Sequence, residues 1–354
     1  MDSITIGMDL GDRYHQVCIL DKKGNVIKVC QVSNTQKAIE KFFRGYAGAT
    51  VAIEAGTHSP WVSRELEGCG CKVFIGNPRK LKVIWSSTQK SDVRDAEMLA
   101  RIARFDPGLL SPIRHRGEQA QADLAMIKAR DVLVRTRTGL VNHVRGILKS
   151  MGIRIPSCGT PNFAKKARGH LPDILLDMLL PVIDQIEAIT EKIEDYDRKI
   201  RMLSERRYPE TFLLSQVPGV GPITSLAFIL TLEDPQRFEK SRQVGVFLGL
   251  TPRRDQSGQT DKQLRITKAG NSYLRQLLVS CAHHILGPFG PDSELRRFGL
   301  RIASSGGKNA KRRAVVAVAR KLSVLLHRLW VTGEAYDPFY KSHNGSTKLL
   351  RRVA

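Results

Sequence analysis

The sequence of 354 residues predicts an α/β region at the N-terminal end and a mainly α-helical remainder. Two patterns support this fold class. Up to about residue 110, short apolar runs typical of strands alternate with helical patterns, and beyond that point apolar residues recur at helical spacing over much longer stretches. A chain of this length is long enough for two or more domains with separate cores, so a single domain is the less favoured interpretation.

The first 80 residues predict strands and helices in a defined order. Three apolar runs between Ser3 and Cys30 are separated by GDR and DKKGN, turn sequences typical of antiparallel strands. A helix is then predicted over about 35–46, a buried strand over TVAIEAG, a helix over about 59–67 and a strand over CKVFIGNP. Three antiparallel strands followed by βαβ units is the order of the ribonuclease H fold.

Four acidic residues stand at the ends of these elements. Asp9 follows the first strand and Glu54 ends the strand TVAIE, while Asp92 and Asp95 share one face at the start of a helix predicted over about 92–105. Two strand ends and a helix face can converge, and carboxylates so gathered repel one another unless a divalent cation neutralises them. Oxygen ligands suit Mg²⁺, with Mn²⁺ as an alternative. The pattern predicts metal-dependent phosphoryl chemistry.

The net positive charge of the chain indicates a negatively charged partner. The formal net charge is +23 and the sequence pI is near 10.1, which favours a polyanion, most commonly nucleic acid, over a membrane surface. From Leu295 to Gly333 the chain has ten Lys or Arg and no Asp or Glu, around an apolar stripe. This predicts an amphipathic basic helix whose residues Lys311, Arg312 and Arg313 face phosphates, the alternative being a solvated face.

The predicted compartment follows from two patterns that the sequence lacks. It has no run of eighteen apolar residues and no signal-peptide pattern, so we expect a cytoplasmic protein that associates with the nucleoid when bound to DNA. Six scattered cysteines are expected to be reduced and mostly buried.

Two long helices are predicted over about 117–151 and 172–207. The second has Leu179, Ile186, Ile193 and Ile200 at sevenfold spacing, a heptad seam that predicts a coiled-coil arm. The alternative is a helix of a local bundle, with the preceding helix as its partner. Pro181 is expected to kink this helix or to mark the start of its regular part.

A Pro-Gly-Val-Gly segment, 218–221, lies between an apolar run and an apolar helix, which matches the helix-hairpin-helix pattern of DNA-binding proteins. There, glycines let backbone N–H groups approach a phosphate, so Pro218, Gly219 and Gly221 are predicted DNA contacts. The alternative is an ordinary Pro-Gly turn between helices.

Ser257 lies in the loop sequence Arg253-Arg254-Asp255-Gln256-Ser257-Gly258, where it is a candidate exposed nucleophile. By itself a serine before a glycine is more often structural. Ser241 is the nearest competitor, and its place at a predicted helix start favours an N-cap role.

Together these residues resemble a known family, the bacterial insertion-sequence transposases of the DEDD type, or IS110 family, with the related pilin-gene invertase. The resemblance covers nearly the whole chain. It implies a ribonuclease H-like (RuvC-like) domain with the tetrad Asp9, Glu54, Asp92 and Asp95, the last two in a D-x-x-D-A arrangement. The P-G-V-G-P, L-G-L-T-P-R, S-G and R-I-T-K segments correspond to the family's transposase domain, whose nucleophilic serine matches Ser257.

The resemblance predicts four segments: a catalytic domain (1–110), a helical linker and coiled-coil arm (111–207), a mostly helical transposase domain with the helix-hairpin-helix and serine loop (208–300), and a basic C-terminal helix and tail (301–354). It implies strand cleavage and rejoining through a phosphoserine link, metal bound by the tetrad, a dimer or tetramer acting in trans, and guidance by a noncoding bridge RNA. The predicted nucleic-acid contacts are Pro218, Gly219, Gly221, Arg253, Arg254, Arg265, Lys268, Arg275, Lys311, Arg312 and Arg313.

Two other functions compete with recombination. One is a metal-dependent, structure-specific endonuclease in which water attacks and Ser257 is structural. The other is a nucleic-acid-packaging protein, which would not need four carboxylates on strand ends and a helix face.

Overall fold

The computed structural model describes residues 4–81, 91–258 and 260–340. The predicted basic tail ending in KLLRRVA lies outside these residues. The chain divides into two compact units, residues 1–117 and 118–354. Among the described residues, no helix combines the length and apolar character needed to span a membrane.

A five-stranded mixed sheet organises the first unit. Its spatial order is β3-β2-β1-β4-β5, with β1, β2 and β3 antiparallel and β1, β4 and β5 parallel. The strands are β1 (Thr5–Asp9), β2 (Tyr14–Leu20), β3 (Val26–Ser33), β4 (Thr50–Glu54) and β5 (Lys72–Gly76). The predicted order of three antiparallel strands followed by parallel units is confirmed, and the fold is consistent with a DEDD nuclease-like domain.

Helices cover both faces of this sheet because its strands alternate apolar side chains between the two faces. The helices are α1 (Gln36–Phe43), α2 (Ser59–Gly68) and α3 (Asp92–Phe105). Ile6 and Met8 point to the face that packs against α1 and α2, whereas Ala52 packs against α3. Ser91 caps α3, its hydroxyl accepting from the Arg94 N–H at 3.4 Å.

The second unit begins with two long helices, α4 (Glu118–Ser150) and α6 (Asp173–Arg207), with the short α5 (Phe163–Arg168) between them. The four heptad residues of α6 are all buried. Leu179 and Ile186 share a core with α4 and α5, and Arg130 of α4 binds Asp197 of α6 at 2.7 Å. The preceding helix therefore supplies the partner surface, as in the local-bundle alternative. Pairing of arms between chains stays a prediction.

The expectation that Pro181 starts the regular part of this helix is wrong, because α6 begins at Asp173 and continues through the proline. Pro181 and Asp177, four residues earlier, are both exposed. The hydrogen bond that the proline removes therefore lies on the water-facing side of the helix, where solvent can replace it.

The remainder of the second unit is mainly helical. Its elements are α7 (Thr211–Ser215), α8 (Pro222–Leu232), α9 (Arg242–Phe247), the hairpin β6 (Pro252–Ser257) and β7 (Thr260–Ile266), α10 (Ser272–Leu286), α11 (Glu294–Ser304) and α12 (Ala310–Thr332). Helix α8 is buried from Thr224 to Leu232 and shares one core with α10 and α12. The amphipathic basic helix predicted over 295–333 is in fact two helices, α11 and α12. Its apolar stripe lies on α12, where Val315, Val318 and Leu322 are buried.

All six cysteines are free thiols, as predicted. Cys18, Cys71 and Cys281 are buried, and the other three are half-buried. Burial raises the pKa of Cys71 to about 11, so this thiol is a poor nucleophile at neutral pH.

Candidate catalytic and nucleic-acid-binding sites

Asp9 and Glu54 end neighbouring parallel strands. The register places Met8 beside Ile53, so Asp9 and Glu54, the next residues of β1 and β4, occupy neighbouring positions at the same edge of the sheet. Both are half-buried. Each lies two residues after a position that faces α3, Gly7 on β1 and Ala52 on β4, and side chains two apart on a strand share a face. Both carboxylates therefore belong to the face that α3 covers.

The direction of α3 brings the other two carboxylates to this edge. Near its C-terminal end, Arg104 donates to the Lys22 carbonyl oxygen at 2.6 Å, in the turn between β2 and β3. That turn lies at the opposite edge of the sheet, beside the start of β1. The helix thus runs antiparallel to β1, and its first turn, with Asp92 and Asp95, lies toward the edge where Asp9 and Glu54 end. Asp95 is half-buried and Asp92 is exposed.

The donor set suits a hard divalent cation. Within residues 4–81, 91–258 and 260–340, no three or more His, Cys, Asp or Glu side chains are gathered closely enough to hold a metal by themselves. Mg²⁺ is commonly bound through one or two carboxylates, with waters and substrate phosphates completing its octahedron. The neighbouring pair Asp9 and Glu54, with α3 carrying further carboxylates to the same edge, fits that kind of site.

Two histidines near this edge, His58 and His115, belong to no motif of the sequence. His58 Nε2 lies 2.9 Å from Asp12 Oδ1, and His115 Nε2 lies 2.8 Å from the buried Ser59 Oγ. Burial, with Arg116 and Arg64 nearby, lowers the pKa of His115. The partners of the first pair are 46 positions apart in the sequence and those of the second 56, so no local sequence pattern predicts these contacts.

Ser257 is exposed at the tip of a two-stranded ribbon in the second unit. The sequence predicted a loop, but Ser257 is the last residue of β6 and pairs with Thr260 of β7. Gly258 follows with a φ of +54°, a left-handed conformation that glycine adopts easily. Arg254 and Asp261 form a bidentate ion pair across the ribbon at 2.7 and 2.6 Å. Arg254 therefore already stabilises the ribbon that presents the serine.

The Pro-Gly-Val-Gly segment lies between α7, which is one short turn, and α8. Gly219 has a φ of +86°, and a Cβ there would lie 2.9 Å from His284 Cδ2 and 3.3 Å from the Cys281 carbonyl oxygen. Packing against α10 thus explains this glycine, in line with the structural alternative. Gly221 is exposed, with open space around it at the start of α8, so backbone there is accessible. A DNA contact by this segment stays a prediction.

The predicted basic contacts differ in their surroundings. Arg253 and Arg265 are exposed on the ribbon, and Lys268 is exposed with a φ of +54°. Arg275 is half-buried and donates to the carbonyl oxygens of Leu248 and Ala269 at 2.9 and 2.8 Å, so it holds the loop before α10. The remaining three, Lys311, Arg312 and Arg313, are exposed in the first turn of α12.

Similarity to known proteins covers the carboxylates and the ribbon. A family model of DEDD-type IS110 transposases matches residues 6–153, and one described as the transposase IS116/IS110/IS902 family matches residues 212–296. The chain belongs to the IS110 family of DEDD transposases. The matched ranges include both the four carboxylates and the ribbon with Ser257.

Relatives of this transposase are similar over most of their length. The chain is 26% identical over 94% of its length to the transposase for insertion sequence element IS1111A of Coxiella burnetii, covering 90% of that protein. It is 28% identical over 81% of its length to a probable family 20 transposase of Pseudomonas aeruginosa, covering 85%. A pilin gene-inverting protein of Moraxella bovis is 23% identical over 95% of the chain and 98% of its own length. The protein is thus a DNA transposase or recombinase, and such a DEDD domain implies a divalent metal.

Ser241 of the transposase does not cap α9, although it directly precedes that helix. Its Oγ lies 3.0 Å from Nδ1 of the buried His327, whose Nε2 lies 2.9 Å from the Pro235 carbonyl oxygen. A carbonyl only accepts, so Nε2 carries a proton, and in a neutral ring Nδ1 would accept from the serine hydroxyl. Ser241 therefore occupies the N-cap position, as predicted, but its side chain does not cap the helix. A hydroxyl that donates to an unprotonated imidazole is also how a base activates a nucleophile, so Ser241 remains a competitor of Ser257.

Proposed function

We propose that this transposase cleaves and rejoins DNA strands with a metal site formed by Asp9, Glu54, Asp92 and Asp95 and with Ser257 as nucleophile. The observation that carries the proposal is the antiparallel packing of α3 on β1, which brings the carboxylates of two strands and one helix to the same edge. Mg²⁺ bound there would neutralise charge that develops on the scissile phosphate. Mn²⁺ has the same ligand chemistry and is the second choice.

The chemistry of Ser257 would conserve a phosphodiester bond. Its Oγ forms a bond to the scissile phosphorus, the bond from phosphorus to the departing strand's oxygen breaks, and the serine proton leaves to a base. That strand departs as a hydroxyl. Attack by a strand hydroxyl on the phosphoserine reverses these steps and restores the serine, so no nucleotide cofactor is needed.

Polyanion recognition would come from the exposed basic residues of the ribbon and of α12, together with the accessible backbone at Gly221. The net charge of +23 is compatible with binding both DNA and a noncoding bridge RNA, which we propose as the guide. We further propose a dimer or tetramer in the cytoplasm, bound to the nucleoid when engaged on DNA, in which the carboxylates of one protomer act with the serine of another.

A covalent adduct is the test of the nucleophile. Wild-type protein with Mg²⁺, the element's noncoding RNA and a DNA carrying the element ends should form a protein–DNA adduct that survives denaturing electrophoresis and disappears on proteolysis. Peptide mapping should place it at Ser257, and Ser257→Ala should lose both cleavage and adduct. Ser280→Ala, on an exposed face of α10, is the matched control and should keep both.

Other outcomes of this experiment assign other functions. An adduct at Ser241 would move the nucleophile to the pair with His327. Cleavage by Ser257→Ala without any adduct would favour the structure-specific endonuclease, in which water attacks. Full activity of both Asp9→Asn and Glu54→Gln would remove the metal site.

Mixing of inactive variants tests the arrangement in trans. A mixture of Asp9→Asn and Ser257→Ala chains contains assemblies in which one protomer provides carboxylates and the other a serine. Such a mixture should regain strand cleavage if the two groups act across protomers, and should stay inactive if each protomer uses only its own.

A further inference from the structure

Asn34 ties together two loops at the edge of the sheet where the strand carboxylates lie. It follows β3 directly, and its Nδ2 donates to the Asp12 carbonyl oxygen at 2.9 Å and to the Gly11 carbonyl oxygen at 3.2 Å. Both acceptors belong to the loop between β1 and β2. The same Nδ2 lies 3.4 Å from Nδ1 of His58, in the loop between β4 and α2.

His58 completes the tie with a fixed tautomer. Its Nε2 lies 2.9 Å from the Asp12 carboxylate, which only accepts when ionised, so Nε2 carries a proton. In the neutral ring Nδ1 then accepts, and the Trp61 indole N–H lies 3.4 Å from it, as does the Asn34 amide. The single lone pair of Nδ1 is shared between these two donors at 3.4 Å, so the 2.9 Å contact of Nε2 with Asp12 is the stronger contact of the ring.

The two tied loops continue directly from the strands that end in Asp9 and Glu54. Asp12 is three residues beyond Asp9, and His58 is four residues beyond Glu54. Asp9 and Glu54 are the last residues of β1 and β4, so the contacts that hold the two following loops help to fix the separation of the two carboxylates. The Asp12 side chain is 95% exposed, so its bond to His58 is not forced by core packing.

We propose that Asn34, His58 and Asp12 form a clasp that sets the spacing of Asp9 and Glu54 for binding a divalent cation. The three are positioning residues, acting through the loops rather than on the metal or DNA. This inference rests on the proposed metal site and adds the device that preorganises it. Residues that hold ligands in place from outside typically change metal affinity by about 10–100-fold when they are altered.

Mn²⁺ binding to the full-length protein without DNA tests the clasp independently of activity, by the electron paramagnetic resonance signal of free Mn²⁺. Asn34→Asp keeps the shape of the side chain but removes its donors, and it adds a negative charge that alone would strengthen cation binding. We expect Mn²⁺ affinity to fall roughly tenfold in Asn34→Asp and in His58→Ala, in titrations at a temperature where circular dichroism shows each variant to be folded. Asn142→Asp, the same change at an exposed position of α4, should bind Mn²⁺ like the wild type.

The outcomes separate the clasp from the metal site. If Asp9→Asn loses Mn²⁺ while Asn34→Asp and His58→Ala bind it normally, the clasp is wrong and the carboxylate site stands. If Asp9→Asn binds Mn²⁺ normally, the metal site is wrong and the clasp falls with it. Should His58→Ala fail to fold, the isosteric Asn34→Asp decides the question alone.

Discussion

Replacing Gly7 by alanine should separate α3 from the sheet. A Cβ at Gly7 would lie 1.9 Å from the Ala96 carbonyl oxygen and 2.5 Å from the Ala100 nitrogen, whereas ordinary contacts of a Cβ begin at 3.4 Å. Both atoms belong to the main chain of α3, so no side-chain rotation relieves the overlap. The helix must move by about 1.5 Å, which disturbs the packing of Ala96 and Ala100 on Cys18 and Leu20.

The expected cost follows from overpacking a closely packed interior. Extra methylenes forced into a core typically destabilise by about 1–3 kcal/mol, and rigid main-chain atoms place this site at the upper end. A loss of about 3 kcal/mol corresponds to a roughly 150-fold larger population of states in which α3 is open. The same movement displaces Asp92 and Asp95 from the edge with Asp9 and Glu54, so strand cleavage should fall in parallel.

Hydrogen–deuterium exchange of the full-length protein measures this opening directly, in peptides that cover residues 92–105. Gly68→Ala is the control, because Gly68 is also in the first unit, at the end of α2, and a Cβ there meets no atom within 4 Å. It should leave exchange in α3 unchanged. If Gly7→Ala exchanges these amides within threefold of the wild type, the proposed role of Gly7 in seating α3 is wrong.

Three further perturbations have defined outcomes. Burial, with a smaller contribution from His58, lowers the pKa of His15 to about 4, so between pH 6.5 and 4 only the unfolded chain takes up this proton. The free energy of unfolding should therefore fall on acidification by up to about 1.4 kcal/mol per pH unit more in the wild type than in His15→Phe. Denaturant unfolding at pH 7 and pH 5 measures this difference. The control His143→Phe, at an exposed position, should show the same pH dependence as the wild type. Tyr208→Phe removes an O–H that donates to the buried Asp123 at 2.7 Å, and should cost about 1–3 kcal/mol in the same assay; no loss would show that this bond contributes nothing. Replacing the three basic residues 311–313 by serine should reduce the salt slope of duplex DNA binding by about 2.7 in fluorescence anisotropy, and an unchanged slope would make them a solvated face.

Local pattern was sufficient to predict most of the elements. Period-2 and period-3.6 apolar spacing, with turn residues between, marks β1 to β5 and the long helices to within a few residues. Each carboxylate of the tetrad also follows from position, because a strand end and the first turn of a helix are legible in the sequence. Their approach to one edge depends on α3 running antiparallel to β1, and that direction is a tertiary property.

Other parts of the site depend on contacts that spacing does not encode. The clasp joins Asn34, Asp12 and His58 across three loops, and Ser241 is drawn away from a cap by His327, 86 positions along the chain. Gly219 is a case in which a local motif did not indicate the contact that requires the residue. Its motif indicated a phosphate contact, but the contact that requires a glycine there is the packing of His284 and Cys281. Residue type and position were sufficient to predict the candidate site residues. Whether each is structural or functional depends on the side chains packed around it.

The surroundings of Ser257 explain why the proposed reaction divides its groups between two units. A serine hydroxyl is a weak nucleophile until a base or a metal activates it. The described ribbon residues include two carboxylates, Asp255 and Asp261, and Asp261 is bound by Arg254 at 2.6 Å. An exposed serine without a strong base of its own would react only with DNA that is also bound at the edge where Asp9 and Glu54 lie. Such a division would make strand cleavage conditional on assembly, since the nucleophile becomes reactive only where the scissile phosphate meets Asp9 and Glu54.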